Sequence, residues 1–202
     1  KTYKITPSAL SAIERLKEQG HVIVLATGRN PENSDSKQFV DIVKPDAVIG
    51  LNGTLVKAGE KKIYEHFFDK DVLKKLAKFV EGKDCALGIT LEDKDYYFNA
   101  KVIDDYDKKR WGESFRKFYP PSELFDLPVR TLTYVGPPSG AKEIEDNFPT
   151  LKLPLFAGMF GADVIEKCAS KAEGLKLLCK YYNIDIKDTV AFGDSMNDKE
   201  II

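Results

Sequence analysis

The chain has little that would stabilise a fold covalently or attach it to a membrane or a nucleic acid. Its three cysteines, Cys85, Cys168 and Cys179, are an odd number without the spacing of a zinc site or a disulfide framework, so we expect a reducing, cytoplasmic environment. No apolar run approaches the roughly 20 residues of a membrane span, and no signal peptide is visible. The 31 basic and 32 acidic residues are spread along the chain, which argues against a nucleic-acid or membrane partner.

The length is enough for a proper core. At 202 residues the chain could form one large domain or two small ones. It begins with a lysine rather than a methionine and stops at Ile202, where a helix would be starting. We therefore expect flanking segments beyond both ends. For the oligomeric state we expect a monomer or a weak homo-oligomer.

Helices and strands alternate near both ends of the chain. Thr6 and Pro7 predict an N-cap and a first helical residue. The apolar run 21–26 predicts a strand buried on both faces of a parallel sheet, and 31–43 and 47–49 predict the next helix and strand. The alternation of helix and strand resumes after Ser170 and ends in a predicted strand at 189–192. This pattern is typical of a doubly wound, Rossmann-like α/β core.

The middle of the chain has a different sequence pattern. Short strand-like stretches alternate there with amphipathic ones, which predicts an α+β insert. We therefore predict an α/β protein with a parallel-sheet core, residues 1–53 and 166–202, and a large inserted α+β cap domain, residues 54–165.

The last predicted strand runs into an unusually polar turn. Residues 193–198, which we call the acidic turn, read Gly-Asp-Ser-Met-Asn-Asp and place two carboxylates, an amide and a hydroxyl together. In an open parallel sheet, residues just past the carboxyl end of a strand face the ligand crevice, and oxygen ligands of this kind suit Mg²⁺. The alternative is an ordinary polar turn, because Gly, Asp, Ser and Asn favour turns for local reasons.

Two further polar features lie at predicted element ends. Thr27, Gly28 and Arg29 follow the first apolar strand and offer a hydroxyl and backbone N–H groups suited to a phosphate oxygen. Lys171 opens the helix before the acidic turn, where the helix dipole favours negative charge. A lysine placed there invites an anion, although an exposed, solvated lysine is the simpler alternative.

Taken together, these three features occur in the order of motifs two, three and four of the haloacid dehalogenase superfamily. The chain resembles the Cof-type sugar-phosphatase branch of that superfamily, which carries its cap between motifs two and three. The segments 26–29 and 193–198 carry the likeness, and Ser170-Lys171-Ala172 matches more loosely, since the family usually has glycine after the lysine.

The resemblance implies phosphoryl transfer with Mg²⁺ as the cofactor and a small-molecule phosphate ester as the substrate. It implies that Asp194 binds Mg²⁺ and that Asp198 supports the metal's water shell or orients Lys171. It further implies that Thr27 and Lys171 are catalytic. The implied phosphate ligands are Thr27, Gly28, Asn52, Lys171 and Asn197.

The chain departs from the family pattern in one respect. The family's Asp-x-Asp-Gly-Thr motif, which carries the nucleophile and the acid/base, is absent from residues 1–202. The segment 50–55 resembles this motif, but Gly50 and Asn52 stand in place of its two carboxylates. It matches instead a turn of the family at which Asn52 would lie near the substrate. The alternative is that the segment is only a tight turn. We interpret the other Asp-x-Asp triplets, at 69–71, 93–95 and 105–107, as solvated surface.

Residues of the cap would choose the substrate by closing over its leaving group. Aromatic and polar candidates occur in the insert, and each has the alternative of belonging to the core of the cap. We interpret His21 and His66 as structural, because neither has a carboxylate partner nearby in sequence. The cap candidates are Tyr96, Tyr97, Asn99, Trp111 and Arg116.

The sequence thus predicts a Mg²⁺-dependent phosphatase of the haloacid dehalogenase type, provided that the native protein carries the missing motif. Two alternatives remain open at this point. One is a phosphosugar mutase on the same core. The other is a non-catalytic phosphate-binding or regulatory domain, if the chain is natively this short.

Overall fold

The computed structural model describes residues 5–158 and 160–202. These residues form two compact units. The first unit comprises the described residues up to Glu65 together with Lys171–Val190, and the second comprises His66–Ser170 together with Ala191–Ile202. Within the described residues, no helix has the length and apolar character needed to cross a bilayer.

The first unit is built on a four-stranded mixed sheet. The parallel pairing predicted for the first two strands is confirmed, and the next two form an antiparallel hairpin beside them. The strands lie in the order β1 (Val24–Ala26), β2 (Ala47–Gly50), β3 (Leu55–Ala58) and β4 (Lys61–Glu65). The helices are α1 (Pro7–Glu18), α2 (Ser34–Val43) and α6 (Lys171–Tyr182).

Helix α1 begins as its sequence predicts. The Thr6 hydroxyl accepts a hydrogen bond from the Ala9 N–H at 3.3 Å, and proline occupies the first helical turn. None of its residues is fully buried. At its other end Lys17 donates to the carbonyl oxygens of Val43 and Lys44 at 2.7 and 2.6 Å, so it satisfies orphan carbonyls at the C-terminus of α2.

The core of this unit lies between α6 and the sheet. All four residues of β2 are buried, and Ile49 is fully buried. Gly174 of α6 allows a close approach, because a Cβ there would lie 2.7 Å from Ile49 Cγ2 and 3.3 Å from Val56 Cγ2. The prediction that β1 is buried on both faces is wrong, since β1 forms only at 24–26 and its residues are half-buried. Among the strands of residues 5–158 and 160–202 it lies at the edge of the sheet, with β2 on one side.

The predicted strand at 189–192 is also wrong. These residues form no strand, and the side chains of Val190 and Phe192 are 80% and 91% exposed. An extended segment becomes a strand only when a neighbour completes its backbone hydrogen bonds. No strand within the described residues pairs with this segment, so its β-branched and aromatic composition alone does not make it one.

The second unit has the mixed α and β composition predicted for the insert. Its sheet has the order β6-β5-β7-β9-β8, and every neighbouring pair is antiparallel. The strands are β5 (Ala86–Leu91), β6 (Lys94–Phe98), β7 (Leu132–Val135), β8 (Leu151–Lys152) and β9 (Ala162–Glu166). The helices are α3 (Lys70–Val80), α4 (Ala100–Trp111) and α5 (Pro138–Asn147).

Two apolar clusters hold this sheet. The larger one joins buried residues of α3 and α5, such as Leu76 and Ile144, to the strands. The smaller one places Ile103 of α4 against Tyr97 and Val135. Because side chains alternate along a strand, neighbours such as Tyr96 and Tyr97 enter different clusters.

The boundary between the two units differs from the predicted start of the insert. Residues 55–65 were expected in the cap, but the hairpin β3–β4 extends the first sheet through its pairing with β2. The chain therefore passes from one unit to the other after Glu65. The division of the native protein into a core (1–53 and 166–202) and a cap (54–165) stays a prediction about functional domains.

Candidate active site

In the first unit, Thr27 and Asn52 lie at the same edge of the sheet. The Thr27 N–H donates to the carbonyl of Ile49 at 2.8 Å, and the Asn52 N–H donates to the carbonyl of Thr27 at 3.1 Å. The Thr27 hydroxyl also accepts from the N–H of Arg29 at 3.1 Å. These bonds tie the loop containing Gly28 to the 3₁₀ turn Leu51–Gly53, so three of the predicted phosphate-binding positions come together.

The turn that holds Asn52 has an unusual backbone. Leu51, Asn52 and Gly53 have φ angles of 50°, 58° and 103°, a region in which asparagine and glycine are the best tolerated residues. Thr54 secures the turn by donating its hydroxyl to the Leu51 carbonyl at 3.0 Å. The tight-turn interpretation of this segment is confirmed. The role of Asn52 beside a substrate stays a prediction.

Lys171 is buried, with only 5% of its surface exposed. The alternative of a solvated surface lysine is therefore wrong. It is the first residue of α6, a helix that packs on β2, β3 and the turn Leu51–Gly53. Both the ammonium group and the helix N-terminus are positive there, and burial removes the water that would screen them. The arrangement favours an anion at this end of α6.

In the second unit, the acidic turn is organised by its last carboxylate. Asp198 is buried, and its Oδ2 atom accepts from the N–H groups of Asp194 and Ser195 at 3.2 and 3.1 Å. Gly193 is needed for this packing, since a Cβ at that position would lie 2.4 Å from the Cβ of Asp198. The spacing of glycine and the final aspartate is thus explained by the geometry of the turn.

The exposed carboxylate of this turn is Asp194, and Asn197 beside it is half-buried. The described residues contain no group of three or more His, Cys, Asp or Glu side chains arranged to hold a metal ion. Mg²⁺ does not need such a group, because it commonly takes one or two carboxylates and keeps several waters. The oxygen donors of the turn therefore fit Mg²⁺, with Asp194 presented outward and Asp198 holding the loop. The metal contact of Asp194 stays a prediction, and so does the role of Asp198 in supporting the metal's water shell or orienting Lys171.

The predicted site residues are divided between the two units. Thr27, Gly28, Asn52 and Lys171 belong to the first, and Asp194, Asn197 and Asp198 belong to the second. The convergence of these two groups on one phosphate stays a prediction.

Three of the cap candidates, Tyr96, Tyr97 and Asn99, have structural roles in the second unit. Tyr96 and Tyr97 are each only 4% exposed. Asn99 adopts a φ of 53° and donates its amide to three backbone carbonyls at 2.7 to 3.2 Å, which fixes the start of α4. Trp111 is 68% exposed at the end of α4. None of these observations shows one of the four residues in contact with a substrate, and that role stays a prediction.

Arg116 is held by two carboxylates. Its guanidinium donates to Asp107 and to Asp95, both at 2.8 Å, and also to the Thr90 hydroxyl at 3.0 Å. Burial works to lower the pKa of Arg116, but the hydrogen bonds to Asp95 and Asp107 outweigh it and raise the pKa. Asp95 itself is 5% exposed, so the interpretation of the triplet 93–95 as solvated surface is wrong for that residue. A charged hydrogen-bond network explains why the carboxylate is buried.

Two features escaped the sequence reasoning. His66 binds the buried Glu166, with Nε2 2.6 Å from Oε2, although the residues are 100 positions apart. A cavity of about 530 Å³ also opens beside the acidic turn, lined by residues 154–158, Asp163 and residues 194–197. Proline and glycine in 154–158 indicate a loop, but nothing in the sequence places that loop against residues 194–197.

Comparisons with known proteins bear on this arrangement. A family model described as haloacid dehalogenase-like hydrolase matches residues 1–202. A Bacillus subtilis protein with the provisional name of phosphatase YkrA is 26% identical over 206 residues, which cover 98% of this chain and 76% of YkrA.

Solved structures share the fold. A phosphatase of the haloalkanoate enzyme superfamily from Bacteroides thetaiotaomicron has a TM-score of 0.88 and 22% identity, covering 99% of this chain and 74% of that one. A HAD subclass IIB sugar phosphatase has a TM-score of 0.76 and 24% identity, covering 98% of this chain and 76% of its own. The likeness to both structures extends over nearly the whole of this chain.

Proposed function

Because the chain belongs to the haloacid dehalogenase-like hydrolases, we propose that the native protein is a Mg²⁺-dependent phosphatase of small phosphomonoesters. The substrates would be sugar phosphates or related metabolite phosphates. The observation that carries the proposal is the burial of Lys171 at the start of α6, a helix that packs on the turn that holds Asn52. A buried cation at a helix N-terminus is suited to an anion such as a phosphoryl group.

The proposed roles follow from where each group lies. Thr27 and the Gly28 N–H would hold phosphoryl oxygens at the end of β1, with Lys171 neutralising their charge. Asn197 would contact the phosphate from the acidic turn. Asp194 would bind Mg²⁺, which supplies charge neutralisation to the phosphoryl oxygens when bound. Asp198 would act on the position of Asp194 by holding the N–H groups of the turn.

The covalent step would need a residue outside these positions. The resemblance assigns the nucleophile and the acid/base to an Asp-x-Asp motif, and the three such triplets in this chain serve other purposes. Asp69 caps α3 by accepting from two N–H groups at 2.9 Å, Asp95 and Asp107 bind Arg116, and Asp93 pairs with Lys117. An aspartyl-phosphate in the native protein would therefore form on an aspartate that this chain lacks.

The direct test is hydrolysis of p-nitrophenyl phosphate by the native protein, with and without EDTA. We expect turnover that EDTA abolishes and added Mg²⁺ restores. Absence of turnover together with phosphate binding that Lys171→Met weakens would favour the non-catalytic phosphate-binding alternative. Dependence of activity on an added bisphosphate would favour the mutase alternative.

A second measurement addresses the metal without using activity. Asp194→Asn should weaken Mg²⁺ binding at least tenfold in a calorimetric titration, because a neutral amide is a poorer ligand for a hard cation than a carboxylate. Asp146→Asn is the matched control, since Asp146 is a carboxylate of α5 paired with Lys142. Equal Mg²⁺ affinity in the two variants would place the metal elsewhere.

A further inference from the structure

The cavity beside the acidic turn has an apolar wall. It lies within the second unit, has a volume of about 530 Å³, and is lined by residues 154–158, Asp163 and residues 194–197. We call it the acidic-turn cavity. Two large apolar side chains of its lining are exposed, Phe156 by 40% and Met196 by 58%. A cavity that combines apolar surface with a few polar groups is suited to the carbon skeleton of a small ligand.

The loop that carries Phe156 is held in place by backbone contacts. The Phe156 N–H donates to the Gly161 carbonyl at 2.9 Å, and the Asp163 N–H donates to the Pro154 carbonyl at 3.3 Å. Gly161 leaves room for the ring, because a Cβ there would lie 3.0 Å from Phe156 Cδ2. Its φ of 130° is a conformation that other residues rarely adopt. The apolar wall is therefore built into the fold of this loop.

The charge of the lining is of one sign. The ionisable side chains that line the acidic-turn cavity are the carboxylates of Asp163 and Asp194, and no lysine, arginine or histidine among the described residues contributes to it. Lys152, which precedes the loop, pairs with Glu200. A second anionic group in this cavity would lose water without gaining a cation, and it would face carboxylates of its own sign. The lining therefore disfavours a negatively charged group and accepts a neutral one.

Two residues relate this cavity to the proposed reaction. Asp194, the proposed Mg²⁺ ligand, and Asn197, a proposed phosphate ligand, both line it. An ester whose phosphoryl group is held by these residues would place its alcohol part against the same lining. The charge of Mg²⁺ at Asp194 would be matched by the phosphoryl oxygens, so it would not compensate a further anion on the alcohol.

We propose that Phe156 and Met196 pack against the alcohol part of the substrate, and that the acidic-turn cavity selects phosphate esters of alcohols without a second negative charge. The inference rests on the proposed phosphatase function and deepens it. It divides metabolite phosphates into two groups. Esters of neutral alcohols are accepted, and phosphorylated carboxylic acids and bisphosphates are rejected.

A matched pair of esters tests the charge preference in the native protein. Glycerol 3-phosphate and 3-phosphoglycerate share the same carbon skeleton and differ at one end, where the hydroxymethyl group of the first is a carboxylate in the second. We expect kcat/KM for glycerol 3-phosphate to exceed that for 3-phosphoglycerate at least tenfold. Equal turnover of both esters would overturn the inference and leave the phosphatase intact.

A gain of function tests whether the alcohol enters this cavity. Ala157→Lys adds a cation to the lining at an exposed position. We expect it to raise kcat/KM for 3-phosphoglycerate about tenfold and to leave the value for glycerol 3-phosphate within about twofold, because the new ammonium group pairs with the carboxylate. Ser122→Lys is the control, since Ser122 is exposed on the 3₁₀ helix Pro121–Asp126 and does not line the cavity. The same result for 3-phosphoglycerate in both variants would show that the alcohol does not enter the cavity.

The apolar wall is tested at Phe156. Phe156→Ala should lower kcat/KM for p-nitrophenyl phosphate about tenfold, because the aromatic alcohol loses its contact with the ring. Phe156→Leu, which keeps an apolar side chain, should retain most of the activity. Phe115→Ala is the control, at a phenylalanine that is 81% exposed and outside the lining. Equal values for Phe156→Ala and Phe115→Ala would refute the packing role of Phe156.

A failure of the phosphatase itself gives a different result. Absence of turnover for all three esters would refute the phosphatase function. Calorimetric binding of the two glycerol-derived esters in the presence of Mg²⁺ then tests the cavity without turnover. Affinity at least tenfold higher for glycerol 3-phosphate, with a preference that Ala157→Lys removes, would support the charge selection. Equal affinity for the two esters would overturn it.

Discussion

The contact between Gly174 and Ile49 gives a prediction that can be worked out quantitatively. Gly174→Ala would ordinarily stabilise a helix interior by about 1 kcal/mol, since alanine has the higher helix propensity. Here the new Cβ would lie 2.7 Å from Ile49 Cγ2 and 3.3 Å from both Ile49 Cγ1 and Val56 Cγ2. Overpacking of this kind costs about 1–3 kcal/mol. We therefore expect a net loss of about 1 kcal/mol in the free energy of unfolding.

The sign should reverse when the obstacle is removed. In an Ile49→Ala background both γ carbons of Ile49 are gone and the contact with Val56 Cγ2 at 3.3 Å remains, so Gly174→Ala should stabilise by up to about 1 kcal/mol through helix propensity. The coupling free energy of this double-mutant cycle is then up to about 2 kcal/mol. Ile49→Val is the matched control, because valine keeps two γ carbons, and there we expect coupling close to zero.

Urea unfolding of the four proteins of each cycle measures these values. Stabilisation by Gly174→Ala in the wild-type background would refute the close packing of α6 on β2. Equal coupling in the alanine and valine backgrounds would show that the γ carbons are not the obstacle.

Three further predictions concern the second unit. Burial raises the pKa of Asp95, but hydrogen bonds from Thr90, Arg116 and the Lys117 N–H outweigh it and lower the pKa. The stabilisation by the Asp95 carboxylate is therefore present above the pKa of the unfolded state and is lost as the pH falls through the pKa of the folded state. Arg116→Met should move this loss of stability to higher pH, and urea midpoints between pH 7 and pH 3 that follow those of the wild type would contradict the prediction. Asn99→Ala should unfold more readily than Asn99→Gly by about 1 kcal/mol in thermal or urea unfolding, because both lose the amide but only glycine accepts the positive φ without strain, and equal stability of the two would argue against it. Asp198→Ala should lower the free energy of unfolding by about 1–3 kcal/mol, because two backbone N–H groups lose their acceptor, and a change below about 0.5 kcal/mol in urea would show that the carboxylate does not hold the turn.

The elements that were predicted correctly are those whose signals are local. The N-cap at Thr6, the strand at 47–49 and the tight turn at Asn52 depend on residues within a few positions of one another, and each is present. The predicted resemblance to the haloacid dehalogenase superfamily is also confirmed by the family match over residues 1–202, because its motifs are short and ordered along the chain.

The errors arose where a neighbour distant in sequence controls the outcome. The segment 189–192 has the composition of a strand but lacks a pairing partner among the described residues. Asp95 was interpreted as solvated because no predicted buried strand precedes it, whereas its ion pair with Arg116 makes its burial possible. The alternative that Lys171 is solvated could not be excluded from its local pattern, and its burial at the start of α6 became visible only in the structure.

Residue order alone was therefore sufficient to predict the family and the class of hydrolase, since side-chain type and motif spacing are read directly from the chain. Which groups are buried, which carboxylates are already engaged and which cavities exist depend on contacts across many positions. The pairing of His66 with Glu166 and the stacking of Tyr106 on Phe160 belong to this second kind. Chain folding creates such contacts, because it brings together atoms that no local pattern relates.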